Sequence, residues 1–153
     1  MNKKFQSYLF KKYPDLYDKE LIIECEDGWF KLVFWLSRYL TDYVKLQNEC
    51  AKKFSDKYMH VDPVKIIEIK ERYGILKFRI KGGDNHVNSI ISFVEYISGF
   101  VCEKSGKTNN VGFNKIGHVK THHKQYSKEG DFYPVDDDEL IILLDDSQLE
   151  FNF

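Results

Sequence analysis

No stretch of this chain approaches the roughly twenty apolar residues that a membrane-spanning helix needs. The most apolar run, Trp29 to Leu36, is broken by Lys31 and followed by Arg38. Cysteine is scarce: Cys25, Cys50 and Cys102 stand singly, an odd number that excludes a paired disulfide framework. With no charged-then-apolar leader of the secretory kind at the N-terminus, the expected setting is a reducing cytoplasm. Catalytic signatures are missing too: there is no Gly-rich phosphate loop, no G-x-S-x-G elbow and no H-E-x-x-H. No residue is therefore assigned a catalytic role. Lys and Arg are absent after Glu129.

Apolar and aromatic side chains are abundant. Hydrophobic residues make up 42% of the 153, with twelve Phe, ten Tyr and two Trp, far from the composition of a disordered chain. The length suits one domain with a short appendage. Charge marks the division. Asp131, Asp136, Asp137, Asp138, Glu139, Asp145, Asp146 and Glu150 give the last segment −8, against a net charge of −1 for the whole, so the body carries +7. The expected organisation is a domain over 1–129 and an acidic C-terminal tail over 130–153. A basic body of this kind either meets an anionic partner or receives its own tail.

Spacing predicts the elements. Phe5, Leu9 and the Lys11/Lys12 pair before Pro14 form a short helix, stopped because proline drives its predecessor out of the helical region. Leu21 to Cys25 reads as extended, and Asp27 is placed to cap a helix. From Trp29, apolar residues at 33, 36, 40 and 43 and Cys50 recur at helical spacing to about Lys52. Phe30, Phe34 and Trp35 widen that arc, so the long helix should be covered on more than one side. Val64–Glu71 and Ile75–Lys81 form a hairpin; in its second strand Leu76, Phe78 and Ile80 face the core while Lys77, Arg79 and Lys81 make a basic outer face. Asn85 caps a second amphipathic helix through Val87, Ile90, Ile91, Val94, Ile97 and Val101. After Cys102 the chain turns loop-rich, basic and glycine-marked, and within the tail Leu140–Leu144 is an apolar island. The fold class is α+β: a long helix and a second amphipathic helix packed on a small antiparallel sheet. Glu24 and Glu26 fall on one face of an extended segment, where solvated carboxylates are unremarkable.

Two segments, Ile23-Glu24-Cys25-Glu26-Asp27-Gly28-Trp29-Phe30 and Ile69-Lys70-Glu71-Arg72-Tyr73-Gly74-Ile75-Leu76-Lys77-Phe78, precede a helix running into Cys102. Together they resemble a family of small, functionally uncharacterised phage and prophage proteins with CGDGW and VKEKFGGLRFY segments. The likeness spans roughly residues 8–126. In that family a C-x-x-C and a later C-x-x-H form what looks like a zinc knuckle. The corresponding positions here are Cys102, Ser105, His123 and Tyr126, so the knuckle is degenerate: serine and tyrosine hydroxyls are poor zinc ligands. The resemblance implies a phage origin and action in the host cytoplasm.

Three constellations remain. Cys102, His118, His122 and His123 form an alternative zinc set, with His118 and His122 sharing a face if helical and an open position left for water; the competing reading is solvated basic surface beside Lys120 and Lys124, with no cofactor. Lys77, Arg79, Lys81, Lys104, Lys107, Lys115, Lys120 and Lys124 offer a cationic surface that would release counterions from a phosphate backbone, with Phe113 or Tyr126 to stack on bases; an ordinary solvated face is the plainer account. Gln148, Leu149, Phe151 and Phe153 resemble the short peptides by which replication proteins bind a DNA sliding clamp, here on an acidic tether; their alternative is packing on their own domain. The expected function is a non-enzymatic phage accessory protein that binds a host macromolecule, first a host protein, in host takeover or counter-defence. The alternative is nucleic-acid binding by the basic knuckle, with the tail autoinhibitory or clamp-binding.

Overall fold

The computed structural model describes residues 1–114 and 116–135. Helix α1 spans Lys3–Lys12; Asn2 caps it by accepting from the Phe5 amide at 3.0 Å, and Lys11 and Lys12 occupy its last turn, where cations suit the carbonyl end. It buries Leu9 and lays Phe5 on Phe30, ring centroids 4.2 Å apart, with Tyr8 beside Phe30 and Phe34. This is the second cover expected for the long helix.

The long helix α2 is Phe30–Lys53, entered through a 3₁₀ turn at Asp27–Trp29. Asp27 does not cap it. Its carboxylate instead accepts from the Asn2 amide at 2.6 Å and the Asn2 side chain at 2.7 Å, tying the start of α1 to the start of α2. Sequence spacing could not see this, because the partner lies 25 residues away. Trp29, Val33, Leu36 and Leu40 are fully or almost fully buried, and the Trp29 indole donates to the Val101 carbonyl at 2.8 Å, satisfying the ring's only polar atom.

Strand β1 (Ile23–Glu24) pairs parallel with β2 (Lys65–Arg72), which pairs antiparallel with β3 (Ile75–Lys81). The β2–β3 connection is a two-residue turn. Tyr73 and Gly74 take φ of 54° and 76°, the left-handed pair whose twist matches that of the strands. Leu76 is buried and Phe78 and Ile80 pack against the core, as the alternation predicts. Helix α3 (Asn85–Ser98) lies along β3, and its Ser98 hydroxyl and Glu95 carboxylate accept the outward amides of Leu76 and Phe78, each at 2.9 Å. The cap of α3 is Asp84 rather than Asn85: its carboxylate accepts from the Val87 amide at 2.9 Å.

The segment after Cys102 is more ordered than a loop-rich knuckle. Strands β4 (Val111–Phe113), β5 (Thr121–His123) and β6 (Tyr133–Pro134) form an antiparallel sheet in the order β5-β4-β6. It docks on the β2–β3 turn, where the Thr121 hydroxyl donates to the Gly74 carbonyl. The folded body therefore runs past Glu129, since β6 is paired and the Val135 amide donates to the Val111 carbonyl at 3.0 Å. The island Leu140–Leu144 and the tail from 136 onward lie outside the described residues. Among the described residues no helix is long and apolar enough to cross a membrane.

Candidate functional site

Helices α2 and α3 part on their outer side to leave a groove of about 550 Å³. Its floor and walls are Trp35, Leu36, Tyr39, Leu46, Ile90 and Phe93, with Arg38 and Asp42 at the rim. Trp35, predicted to be covered, is 38% exposed; Tyr39, Phe93 and Leu46 are 42%, 53% and 62% exposed. Large apolar side chains clustered at a surface are informative where single ones such as Ile116 are not.

The groove is braced by polar pins. The Tyr43 hydroxyl donates to the Asp84 carboxylate at 2.8 Å, and the Tyr39 hydroxyl meets His86 Nε2 at 2.7 Å. Tyr39 and Tyr43 stack with rings nearly parallel. Desolvation, then the Asp84 carboxylate, pushes the Tyr43 phenol up to about 12, so it remains a donor. For Asp84 burial acts upward, but the Val87 amide and the Tyr43 hydroxyl outweigh it and hold the carboxyl below its ordinary value. At the rim Arg38 lies over the Trp35 ring at 5.3 Å and pairs with Asp42 at 3.6 Å. The lining is apolar at its centre and charged at its edge, the anatomy of a protein interface.

The predicted cationic surface is largely compensated. Lys77 Nζ sits 2.7 Å from Glu95, Arg79 lies 3.6 Å from Glu68, and Lys120 is 2.7 Å from Glu103 and 3.4 Å from Glu71. Lys104 is drawn over the Tyr126 ring at 4.7 Å, and Lys107 donates to Gln125 at 3.4 Å. Lys81 and Lys124 are exposed. Lys115, and Gln148, Leu149, Phe151 and Phe153 of the clamp-like peptide, lie outside the described residues.

The expected zinc ligands do not converge. Residues 121–123 are a strand, so the helical juxtaposition of His118 with His122 is lost, and His122 and His123 point to opposite faces. His118 is exposed, Cys102 is fully buried, and His123 Nδ1 accepts from the Gln125 amide at 3.2 Å. The knuckle positions of the resemblance, Cys102, Ser105, His123 and Tyr126, supply one thiol and one imidazole and do not suit zinc.

Beside them stands a group that sequence reasoning overlooked. Glu103 is fully buried, with Oε1 held by Lys120, and His122 Nε2 is 3.6 Å away. Desolvation pushes the Glu103 carboxyl up, to about 7, against the pull of Lys120. Burial lowers the His122 imidazole. Glu26, exposed as expected, brings its carboxylate within 4.8 Å of this pair. The signal for the groove was present in the sequence as Trp35, Tyr39 and Leu46, a second apolar stripe on α2; no local pattern marks Glu103. No protein-family model matches the chain, and no curated protein or solved structure matches it.

Proposed function

We propose that this chain is a non-enzymatic binding protein that docks a host protein through the α2–α3 groove, as a phage accessory factor in host takeover or counter-defence. The observation that carries this reading is the exposed aromatic lining between two helices already pinned together. An amphipathic helix presenting two or three large apolar side chains at helical spacing suits such a groove, with Arg38 and Asp42 meeting its polar flank. Anchors of this kind carry most of an interface's binding energy. The pairing of Lys77, Arg79 and Lys120 with carboxylates leaves less uncompensated charge for a phosphate backbone, which favours a protein over a nucleic acid. The phage context comes from the motif resemblance.

The test is a pull-down from nuclease-treated bacterial lysate with the full chain, with a chain ending at Val135, and with the groove variants Phe93→Asp and Leu46→Asp. The expected result is a partner that survives nuclease and is retained by the two unaltered chains but lost by the groove variants, which keep the wild-type circular dichroism. Retention of that partner by folded Phe93→Asp would overturn the groove assignment. Release of all bound material by nuclease would transfer the function to nucleic-acid binding.

A further inference from the structure

We propose that Glu26, Glu103 and His122 form a binding site for a divalent transition-metal ion of the zinc type. One ligand atom from each lies within 4.8 Å of the other two. Zinc bonds to nitrogen and oxygen of about 2.0–2.1 Å at the tetrahedral angle place ligand atoms about 3.3 Å apart. His122 Nε2 lies 3.6 Å from Glu103 Oε1, the oxygen that Lys120 also holds, so the carboxylate's other oxygen, Oε2, is the one left to take a metal. Closing the site asks for movement mainly of Glu26, which is exposed and has room to move.

The second, independent observation is that this cluster holds buried polar atoms with nothing to bond. Glu103 Oε2, on a fully buried side chain, has no hydrogen-bond partner, and neither has the buried Nε2 of His122. Buried polar atoms in folded proteins are paired in the great majority, and an orphan calls for an explanation such as an ion. At 3.6 Å the imidazole and the carboxylate are too far apart to satisfy one another. A carboxylate oxygen and a neutral ring nitrogen both offer electron pairs, which a metal accepts and a hydrogen-bond donor of one alone would not reconcile. The charge fits as well. Two carboxylates, Glu71 and Glu103, share the ammonium of Lys120, and Glu26 brings a third carboxylate to Glu103 and His122, so the cluster is rich in anionic oxygen.

The backbone sets these ligands in place. The Glu103 amide donates to the Thr121 carbonyl at 2.9 Å, and its own carbonyl accepts from the Gly28 amide at 2.8 Å, so Glu103 is clamped between β5 and the loop that carries Glu26. A Cβ on Gly28 would overlap the carbonyl oxygens of Cys102 and Glu103, so only glycine permits this approach. Lys120, bonded to Glu103 Oε1, orients the carboxylate as an outer-shell partner does in metal sites. Imidazole and carboxylate suit zinc among the common ions, and three protein ligands leave a fourth position for water.

The test titrates the chelator-stripped full chain with zinc chloride by calorimetry and follows its thermal transition. The expected result is saturable binding of one ion per chain with a raised Tm. Glu26→Gln and His122→Gln, each folded by circular dichroism, should weaken binding at least about tenfold, while His118→Gln and His123→Gln bind as wild type. Glu26 is exposed, so its variant keeps the test open even if His122→Gln misfolds. Absence of saturable binding, or binding unchanged in Glu26→Gln, overturns the site; so does loss in His118→Gln or His123→Gln.

Discussion

The α2–α3 groove and the Glu103 cluster depart from ordinary burial in opposite directions. In the groove, Trp35, Tyr39, Leu46 and Phe93 keep apolar surface in water; in the cluster, Glu103 keeps a carboxylate out of it. Each arrangement costs free energy in the isolated chain. The cost of the groove is recoverable by a partner that covers it, that of the cluster by an ion that takes up its unused electron pairs. The two are built on different supports. The groove lies between long helices made by local periodicity, while the cluster joins a loop near residue 26, the turn after α3 and strand β5. The lesson is that apolar exposure and polar burial are equally informative, though only the first leaves a pattern along a helix.

The sharpest way to break the comparison is to move from the groove into the core beneath it. Leu40→Ala removes a fully buried side chain and should cost about 2–5 kcal/mol in urea unfolding. In the cluster, Lys120→Met strips Glu103 of its ammonium and should cost about 1–3 kcal/mol in chelator-containing buffer. A loss below about 0.5 kcal/mol would mean that Glu103 never relied on the pair.

At the pinned end of the groove, Asp84→Ala removes the α3 cap and the Tyr43 acceptor, an expected loss of about 1 kcal/mol at neutral pH. Because the folded carboxyl titrates below its ordinary value of 3.8, its contribution is whole above that pH and fades as pH falls through the folded value. The gap between wild type and variant should therefore narrow in unfolding curves taken below about pH 4. The smallest effect belongs to Leu46→Ala, whose side chain is 62% exposed: stability within about 0.5 kcal/mol of wild type, with binding of the partner weakened.

Much of this architecture was legible in the sequence. The α+β class, α1, α2, the β2–β3 hairpin and α3 follow from spacing, because each is a local pattern with one face in the core. What escaped were ties between distant residues. Asp27 reads as a helix cap, yet bonds to Asn2; Glu26 reads as solvated and is exposed, but its approach to Glu103 and His122 leaves no local sign. Short strands such as β4 and β5 carry three residues each, too few for an alternation to show. His118 and His122 were four apart in number and, once 121–123 became a strand, no longer neighbours on one face.

The cover that α3 gives to β3 has a further consequence. An edge strand with free amides invites another strand to pair with it, whether from a partner or from a second copy. Here Ser98 and Glu95 fill the outward amides of Leu76 and Phe78. The stretch of this edge around Leu76 and Phe78 is thereby closed to an added strand. A partner arriving at this side must be recognised by side chains.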